Sequence, residues 1–407
     1  MTNKKFLWIG CLESDKEFKI KASKGYNLAS AQISQKNIML GLEAEMGISF
    51  DSINGSVVPH YPIYRDKKLE EVIWSHKEDS YNVSVGFRNI KYLNKLTCKR
   101  AMIKAADKWV KNRYLDEELI IFVYSMRSAS MSTACHIKRK IPNAKIYLIV
   151  TDLPQFMDLG ESKIKTFLKK IDWLSIEKMQ RKFDGFILYA EKMADFLKIP
   201  KDKWMLMEGL YNPNEILSYD NLKSKPTKVL MYAGKLDIQY GIGLLVDSFM
   251  KIDNRELELW ITGGGNAQKY IEKCAEKDSR IKYYGFLPSR DDVIKKQKSA
   301  DLLINMRLPS EEASKYCFPS KLLEYMVTGV PVLSFKLEGI PEEYYKYIFV
   351  IQDETEKSII SAIDKAFNMD EVSRREMGIK AKNFILENKS IAKQSQKILD
   401  WIKAREI

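Results

Sequence analysis

The sequence predicts an α/β protein made of two Rossmann-like domains with parallel sheets, and three observations lead to this fold class. The chain has 407 residues, which is more than one hydrophobic core usually supports. Short β-branched or aromatic runs alternate with longer amphipathic stretches, as in chains of βα units. A polar segment over residues 211–227 contains Asn212-Pro213 and Lys225-Pro226 and has the composition of a linker.

These observations predict a first domain over residues 1–210, the linker over 211–227 and a second domain over 228–390. A helical pattern over 391–407 has no strand after it, so it either closes its own domain or crosses back to the first. Near-continuous apolar runs suit strands that are buried on both faces. The predicted strands are 6–9, 119–124, 144–150, 185–188, 204–207, 228–232, 257–262, 281–284, 302–304, 331–334 and 348–351, and the predicted helices include 242–250, 269–276 and 320–328.

Composition and charge exclude several classes of protein. The chain is 45% hydrophobic and 30% charged, which is typical of a globular protein. Its net charge of +13 favours an anionic partner (nucleic acid, an anionic membrane surface or a phosphorylated ligand), or simply reflects lysines on a solvated surface. No dense basic run or nucleic-acid-binding motif occurs, so we predict no nucleic-acid partner.

Five scattered cysteines without a Cys-x-x-Cys pair, and three distant histidines, argue against disulfides and a bound metal. The amino terminus lacks a signal peptide, and no run approaches the roughly 20 apolar residues of a membrane span. We therefore expect a cytoplasmic protein, either free or peripheral on the inner face of the cell membrane, and no metal cofactor.

Three segments of the second half predict a phosphate and nucleoside site. In the first, a buried strand ends at Gly234, where a glycine lets the backbone approach a ligand, and Lys235 adds a cation. Gly241 then opens a helix whose amino terminus favours phosphate. The same spacing also occurs in a simple strand-to-helix turn.

The second segment, Leu259-Trp-Ile-Thr-Gly263-Gly-Gly265, is again a strand that runs into glycines. Gln268 stands where the third glycine of the dinucleotide fingerprint would be, so the sequence disfavours an NAD site.

The third segment is Asn305-Met-Arg307 followed by Cys317-Phe-Pro-Ser-Lys-Leu-Leu-Glu324-Tyr-Met-Val-Thr-Gly329-Val-Pro-Val-Leu. It predicts a helix capped by Ser320. Lys321 in the first turn opposes the helix dipole unless an anion is bound there. Glu324 follows on the same face, where a carboxylate suits the vicinal hydroxyls of a ribose. The alternative is an ordinary Lys–Glu pair on a helix surface.

Together these segments resemble the donor domain of retaining glycosyltransferases of family 4, which have the GT-B fold. More narrowly they are similar to enzymes of bacterial capsule and exopolysaccharide assembly, including Leu337-Glu-Gly-Ile-Pro-Glu-Glu-Tyr. The resemblance covers residues 206–351 well and the first half more loosely, through Thr151-Asp-Leu-Pro. It implies two Rossmann-like domains with parallel sheets facing across a cleft.

The resemblance also implies roles for particular residues. Glu324 would bind the ribose, Lys235 would replace an arginine at the diphosphate, and Gly285-Phe286-Leu287 would lie along the base. This chain has Tyr316 in place of the family's first glutamate and Tyr240 in place of a lysine, so we assign the missing phosphate charge to Lys321. The predicted nucleotide-sugar-binding set is Gly234, Tyr240, Gly241, Gly263, Phe286, Leu287, Asn305, Arg307, Ser320 and Glu324, and the predicted catalytic set is Lys235, Lys321 and Asp152.

The expected reaction moves a hexose-type sugar from a nucleotide-sugar, in the first instance a UDP-sugar, to a saccharide or lipid-linked acceptor with retention of configuration. Fixed cations and helix amides would stabilise the departing diphosphate without a metal. Asp152 ends an apolar strand and would orient the acceptor hydroxyl or the donor sugar, or would simply cap the next helix. The sequence leaves open the alternatives of an epimerase-like enzyme with the same fold and of a nucleotide-binding protein without activity.

The segment 163–183 predicts a helix that lies on anionic lipid, because its apolar stripe is flanked by basic residues. The same stripe would also serve as ordinary core packing. The stripe is Ile164, Phe167, Leu168, Ile171 and Leu174, beside Trp173, and the flanking residues are Lys165, Lys169, Lys170, Lys178, Arg181 and Lys182.

Overall fold

The computed structural model describes residues 4–24, 29–156, 163–212 and 227–405. Within these ranges the chain forms two compact units, Met1–Met207 with Gln394–Ile407, and Glu208–Lys393. Most of the predicted linker, residues 213–226, lies outside the described residues. Each unit is an α/β domain built on a mainly parallel sheet, as the sequence predicts.

Unit 1 has an eight-stranded sheet in the order β10-β9-β8-β7-β1-β2-β5-β4, in which only β4 is antiparallel to its neighbour. A separate antiparallel pair is formed by β3 and β6. The strands are β1 Lys4–Gly10, β2 Asp51–Asn54, β3 Lys68–Leu69, β4 Val72–Trp74, β5 Asn82–Ser84, β6 Phe87–Arg88, β7 Glu118–Tyr124, β8 Lys145–Val150, β9 Gly185–Leu188 and β10 Trp204–Leu206. The helices are α1 Asp15–Ser23, α2 Ala29–Met46, α3 Asn94–Arg113, α4 Ser128–Lys140, α5 Lys163–Gln180 and α6 Lys192–Leu197.

Unit 2 has a six-stranded, all-parallel sheet in the order β13-β12-β11-β14-β15-β16. Its strands are β11 Lys228–Ala233, β12 Leu257–Thr262, β13 Ile281–Tyr283, β14 Leu302–Asn305, β15 Val332–Phe335 and β16 Phe349–Ile351. Its helices are α7 Ile242–Met250, α8 Gln268–Lys277, α9 Arg290–Lys298, α10 Ser320–Met326, α11 Glu356–Asn368 and α12 Glu371–Asn388.

The apolar strands predicted from the sequence are all present, within one or two residues. Their side chains are buried because helices cover both faces of a parallel sheet. Strands β2 to β6 were not predicted. Two of them are polar but buried, and they are held by side-chain hydrogen bonds such as the one from the Ser52 hydroxyl to Asn82 Oδ1 at 2.6 Å.

The last helix is α13 (Ile391–Lys403), and from Gln394 onward its residues belong to unit 1. There the Trp401 ring packs edge-on against Tyr147 with the ring centroids 5.8 Å apart. The Lys397 ammonium donates to the Leu206 carbonyl at 2.8 Å, at the end of β10. The carboxy-terminal segment is therefore part of the packing of the first unit.

A buried ion pair lies at the point where unit 2 begins. Glu208 and Lys389 form a salt bridge and are both almost fully buried, and the Tyr344 hydroxyl donates to the same carboxylate at 2.7 Å. The Tyr211 backbone pairs with Lys389 and Ile391, so the first and last segments of unit 2 run side by side. Burial of a charged pair requires such partners.

Candidate functional site

The strand order of unit 2 has a topological switch point between β11 and β14. The chain leaves β11 on one side, through α7 to β12, and later returns to the other side of β11 with β14. In open α/β sheets the carboxyl ends of two strands that diverge in this way leave a crevice where ligands bind. Gly234 and Lys235 follow β11 and Arg307 follows β14, so these predicted residues share one edge of the sheet.

Hydrogen bonds hold the strand-end turns of this edge against one another. The Gly234 amide donates to the Thr262 carbonyl at 2.9 Å, and the Gly263 amide donates to the Gly285 carbonyl at 2.8 Å. Gly234 and Gly263 have φ values of +154° and +127°, and a Cβ on Gly263 would lie 1.8 Å from the Gly234 oxygen. Only glycine allows this approach of two backbones.

Lys321 lies against the first of these turns. A Cβ on Gly234 would lie 1.4 Å from the Lys321 Nζ, so the ammonium occupies the space above the glycine. Its hydrogen-bond contact among the described residues is the Tyr232 hydroxyl at 3.5 Å, at the long end of the range. Burial lowers the pKa of Lys321 from 10.5 to about 8, with Glu324 opposing and Arg307 adding to this effect.

Arg307 and Glu324 complete the charged group around Lys321. Arg307 is half-buried, and its Nε donates to the Ser314 hydroxyl at 3.0 Å. Glu324 lies on α10 and is exposed. The structure thus brings Gly234 and Lys321 into contact, with Glu324 and Arg307 close enough to act on the Lys321 charge.

Helix α10 is fixed to the sheet by Tyr325, a residue that the sequence did not identify as part of the site. The fully buried Tyr325 hydroxyl donates to the Ala233 carbonyl at 2.8 Å and accepts from the Ala233 amide at 3.0 Å. This contact determines where Lys321 lies relative to the end of β11.

The prediction that Ser320 caps α10 is wrong. Pro319 is the N-cap residue and has an extended backbone, with ψ 101°. Ser320 is the first helical residue, and it is exposed. No side chain caps this end among the described residues. The helix begins at Ser320, the first residue of the predicted range, and Pro319 takes the N-cap position, where its missing amide is not needed.

Lys235 has an ion-pair partner that was not predicted from the sequence. Its exposed ammonium forms a salt bridge with Asp237 Oδ2 at 2.6 Å, and the other carboxylate oxygen accepts from the Asn266 amide at 3.1 Å. The hydrogen bond that the Lys235 ammonium donates to Asp237 raises the pKa of Lys235 and lowers that of Asp237. The charge of Lys235 is therefore already engaged within the protein.

Tyr240, Gly241 and Asn305 support the edge of the sheet. Tyr240 ends a 3₁₀ turn, and Gly241 follows with φ +82° as the N-cap of α7. A Cβ on Gly241 would lie 2.7 Å from Leu308, so the glycine lets α7 pack near the end of β14. Asn305 is 4% exposed, and its amide donates to the Ser334 hydroxyl at 3.1 Å. In this structure Asn305 links two neighbouring strands.

Phe286 and Leu287 lie at the side of the crevice that belongs to β13. Phe286 is 81% exposed, and its ring covers Gly264, where a Cβ would lie 2.4 Å from the ring edge. Leu287 is half-buried. An aromatic ring left in water beside the glycine turns presents a flat apolar surface.

In unit 1, Asp152 follows β8 at the carboxyl edge of the sheet. It lies near the hydroxyls of Tyr124 and Tyr189, and Ser34 on α2 is 3.0 Å from the Tyr189 hydroxyl. Burial, with a contribution from the Asp152 carboxylate, raises the pKa of Tyr189 to about 12. Asp152 therefore belongs to a group of polar side chains contributed by helix α2, by the last residue of β7 and by the segments that follow β8 and β9.

Neither a metal site nor a membrane-spanning helix is present in the part of the chain that the structure describes. No group of three or more histidine, cysteine, aspartate or glutamate side chains there could hold a metal ion. Among the helices of the same ranges, none combines the length and apolar character needed to cross a bilayer.

Comparison with known proteins supports the description of the fold. Residues 227–368 match the family described as Glycosyl transferases group 1. No match to a curated protein sequence is found. Similar solved structures include a sucrose-phosphate synthase from Thermosynechococcus elongatus (13% identity, TM-score 0.69, covering 98% of this chain and 100% of that one).

Two further structures are also similar over the whole chain. The lipopolysaccharide outer core galactosyltransferase WaaB, in its apo form, is 13% identical with a TM-score of 0.65 and covers 98% of this chain and 99% of that one. HepE of Anabaena, in complex with UDP, is 11% identical with a TM-score of 0.63 and covers 98% of this chain and 100% of that one. The chain therefore has the two-domain GT-B fold, and unit 2 contains the segment that matches the glycosyltransferase family.

Proposed function

We propose that the chain is a glycosyltransferase that moves a hexose-type sugar from a UDP-sugar to a lipid-linked or saccharide acceptor in cell-surface polysaccharide synthesis, with retention of configuration. The observation that carries the proposal is the half-buried Lys321 ammonium, which lies directly over the Gly234 turn at the switch-point crevice of unit 2. A lysine that is desolvated enough for its pKa to fall to about 8 costs free energy unless an anion is bound beside it.

The diphosphate of the donor is the anion that fits this position. When the bond between the sugar C1 and the diphosphate oxygen breaks, negative charge grows on that oxygen. Lys321 is held beside the Gly234 turn, and Arg307 is held by Ser314 close enough to influence the Lys321 pKa, so both cations are in position before this charge develops. A metal is not needed in this scheme, and an activity assay in the presence of EDTA tests that part of it.

The nucleoside is assigned to the neighbouring residues. Glu324 is exposed one turn after Lys321, where its carboxylate accepts hydrogen bonds from the two ribose hydroxyls. The base lies along residues 285–287, with the exposed Phe286 ring as its apolar boundary. The choice of uridine is supported by HepE, whose structure contains UDP.

The acceptor is assigned to unit 1, where Asp152 orients its hydroxyl. The new bond forms between the acceptor oxygen and C1, and the hydroxyl proton leaves to a base or to the departing phosphate oxygen. No protein nucleophile is assigned. The galactosyltransferase WaaB, described as acting on the lipopolysaccharide outer core, supports the polysaccharide context.

A lipid-linked acceptor requires the protein to reach a membrane from the cytoplasmic side. Of the apolar stripe predicted on α5, Ile171 and Leu174 are 50% and 58% exposed and thus do not pack in the core. The side chains of residues 163–169 lie outside the described part. Lys170 and Lys178 on the same helix are exposed, which suits contact with anionic lipid.

Isothermal titration with uridine, UMP and UDP tests the donor site. We expect Glu324→Ala to weaken the binding of all three ligands by about tenfold or more, because each contains the ribose. Asp237→Asn is expected to strengthen only UMP and UDP, because it releases the Lys235 ammonium for phosphate. Lys315→Ala, an exposed lysine in the turn before α10, is the control.

Two outcomes contradict the proposal. If none of the nucleotides binds, the donor site is wrong. If UDP binds and a UDP-sugar is consumed without transfer to any acceptor, while an epimerised nucleotide-sugar appears, the chain is an enzyme of the other reaction type.

A further inference from the structure

Unit 1 has an exposed apolar surface that is separate from α5 in sequence. It consists of residues 61–63, which form a loop, and residues 88–100, which run from β6 into the first turns of α3. We call these residues the basic-apolar patch. Its large apolar side chains are exposed by between 39% and 70%, namely Tyr61, Ile63, Ile90, Tyr92, Leu93 and Leu96. A cluster of exposed apolar side chains of this kind marks an interaction surface.

Backbone contacts join the two segments into one surface. The Tyr61 amide donates to the Asn89 carbonyl at 2.9 Å, and Tyr61 and Ile90 form an isolated parallel bridge. The Thr97 hydroxyl donates to the Arg88 carbonyl at 3.0 Å, which ties the start of α3 to the strand before it. The exposed apolar side chains are therefore neighbours in the fold.

The patch is also basic. Residues 88–100 contain five basic residues and no acidic one. The Lys91 ammonium lies 5.3 Å from the centre of the Tyr92 ring, and Lys67 lies 4.9 Å from the centre of the Tyr61 ring. These cation–π contacts place lysine charges directly beside the tyrosine rings, so basic and apolar groups alternate within the patch.

The patch continues to helix α5. Lys95 in the first turn of α3 forms a salt bridge with Asp172 on α5, with the two atoms 3.3 Å apart. Asp172 lies between the exposed Ile171 and Leu174 on α5. The two apolar surfaces are thus adjacent.

We propose that the basic-apolar patch binds the interface of an anionic lipid bilayer. Aliphatic side chains enter the boundary between headgroups and acyl chains, tyrosines lie at that boundary, and lysines and arginines attract anionic headgroups. The proposal deepens the membrane part of the proposed function. It does not depend on the donor site, because every residue of the patch belongs to unit 1.

The composition of the patch favours a bilayer over a nucleic acid or an acidic protein. Phosphates and bases would account for the basic residues and for Tyr61 and Tyr92, but not for the exposed aliphatic side chains of Ile63, Leu93 and Leu96. An anionic bilayer accounts for both components, because it offers charge at its surface and an apolar phase beneath it.

Sedimentation with vesicles of phosphatidylcholine, with and without phosphatidylglycerol, tests the proposal on the full chain. Ile63→Ser/Leu96→Ser removes apolar contacts, and we expect binding to fall about tenfold or more. Lys91→Gln/Arg100→Gln removes two charges, and we expect a loss of roughly 20-fold on anionic vesicles, because each basic residue near such a surface contributes about fivefold.

The other end of α3 provides a matched control. Lys111 in the last turn of α3 is exposed, and Leu115, just after the helix, is 77% exposed. Lys111 is about 17 Å along the helix axis from Arg100, the nearest residue of the patch. Leu115→Ser/Lys111→Gln is therefore expected to bind vesicles as the parent does. Circular dichroism and urea unfolding show whether each variant is folded, and UDP titration of the same variants separates failure of the patch from failure of the donor site.

Three results would overturn the proposal: no binding of the parent to anionic vesicles, equal binding with and without phosphatidylglycerol, or patch variants that bind as the control does. If the apolar variant converts a dimer to a monomer in analytical ultracentrifugation while vesicle binding is unchanged, the patch is instead an interface between copies of this chain.

Discussion

Replacement of Lys321 by methionine tests the central physical argument, because methionine retains the length of the side chain and removes its charge. Burial lowers the pKa of Lys321 from 10.5 to about 8, and each pKa unit corresponds to about 1.4 kcal/mol. The protonated ammonium therefore costs the ligand-free protein about 3 kcal/mol at neutral pH. Since the side chain is not completely buried, solvent screening reduces this cost, and we expect Lys321→Met to stabilise the ligand-free protein by about 1–3 kcal/mol.

The same substitution is expected to weaken UDP binding by about 10- to 100-fold, since it removes a charged partner of the diphosphate. Uridine, which has no phosphate, should bind as it does to the parent. Urea unfolding at pH 7 measures the stability, and isothermal titration measures both ligands. Lys315→Met is the control, because that lysine is exposed and is 4.0 Å from Glu338, a contact that contributes little.

The opposite pattern would refute the reasoning. If Lys321→Met lowers the stability of the ligand-free protein and leaves UDP affinity unchanged, Lys321 is a structural residue with a satisfactory environment. A loss of uridine affinity equal to the loss of UDP affinity would show that the substitution disturbs the nucleoside instead of removing a phosphate contact.

Three further predictions concern pH and packing. Above pH 8 the ligand-free folded protein releases the Lys321 proton, while the unfolded chain keeps it up to about pH 10.5. As pH rises through 8 we therefore expect the free energy of unfolding to increase and UDP affinity to fall. Urea unfolding and isothermal titration across this range measure the two effects, and Lys321→Met should abolish both. Tyr325→Phe leaves the buried amide and carbonyl of Ala233 without their partner, and we expect a loss of about 1–3 kcal/mol in urea unfolding. Lys389→Met leaves the Glu208 carboxylate buried without its ion-pair partner, and we expect a loss of about 3–5 kcal/mol at pH 7 that is partly restored by adding Glu208→Gln.

The fold was predictable where strands are apolar and covered on both faces. Strand β12 was predicted with its observed bounds, because its apolar run is followed at once by three glycines and then by an amphipathic helix. Strands β2 and β5 were not predicted, since Asp51-Ser-Ile-Asn and Asn82-Val-Ser contain mostly polar residues. Their burial depends on partners distant in sequence, such as Trp109, whose indole donates to Asp51 Oδ2 at 2.9 Å. Local pattern carries no information about such partners.

The candidate site was predictable in its location but not in its contacts. Glycines at strand ends and a lysine in the first turn of α10 indicate the crevice, and the structure brings Gly234 and Lys321 together. The Asp237 carboxylate next to Lys235 and the Tyr325 hydroxyl at the end of β11 depend on side-chain directions that spacing does not determine. Tyr325 does carry one signal, since a tyrosine at a fully buried helix position needs a partner for its hydroxyl.

The two lysines of the crevice have opposite electrostatic settings, and this assigns them different parts in the proposed reaction. Lys235 is exposed and held by Asp237, which raises its pKa, so a phosphate must compete with a carboxylate and with water for its charge. Lys321 has already lost much of its water and points at the Gly234 turn, so an arriving diphosphate gains its attraction without a further cost of desolvation. A cation that is already in place stabilises the charge growing on the leaving diphosphate better than one that must first leave its partner or its water. In the proposed reaction Lys321 therefore provides most of the stabilisation of the leaving diphosphate. Lys235 attracts and orients the donor at the mouth of the crevice.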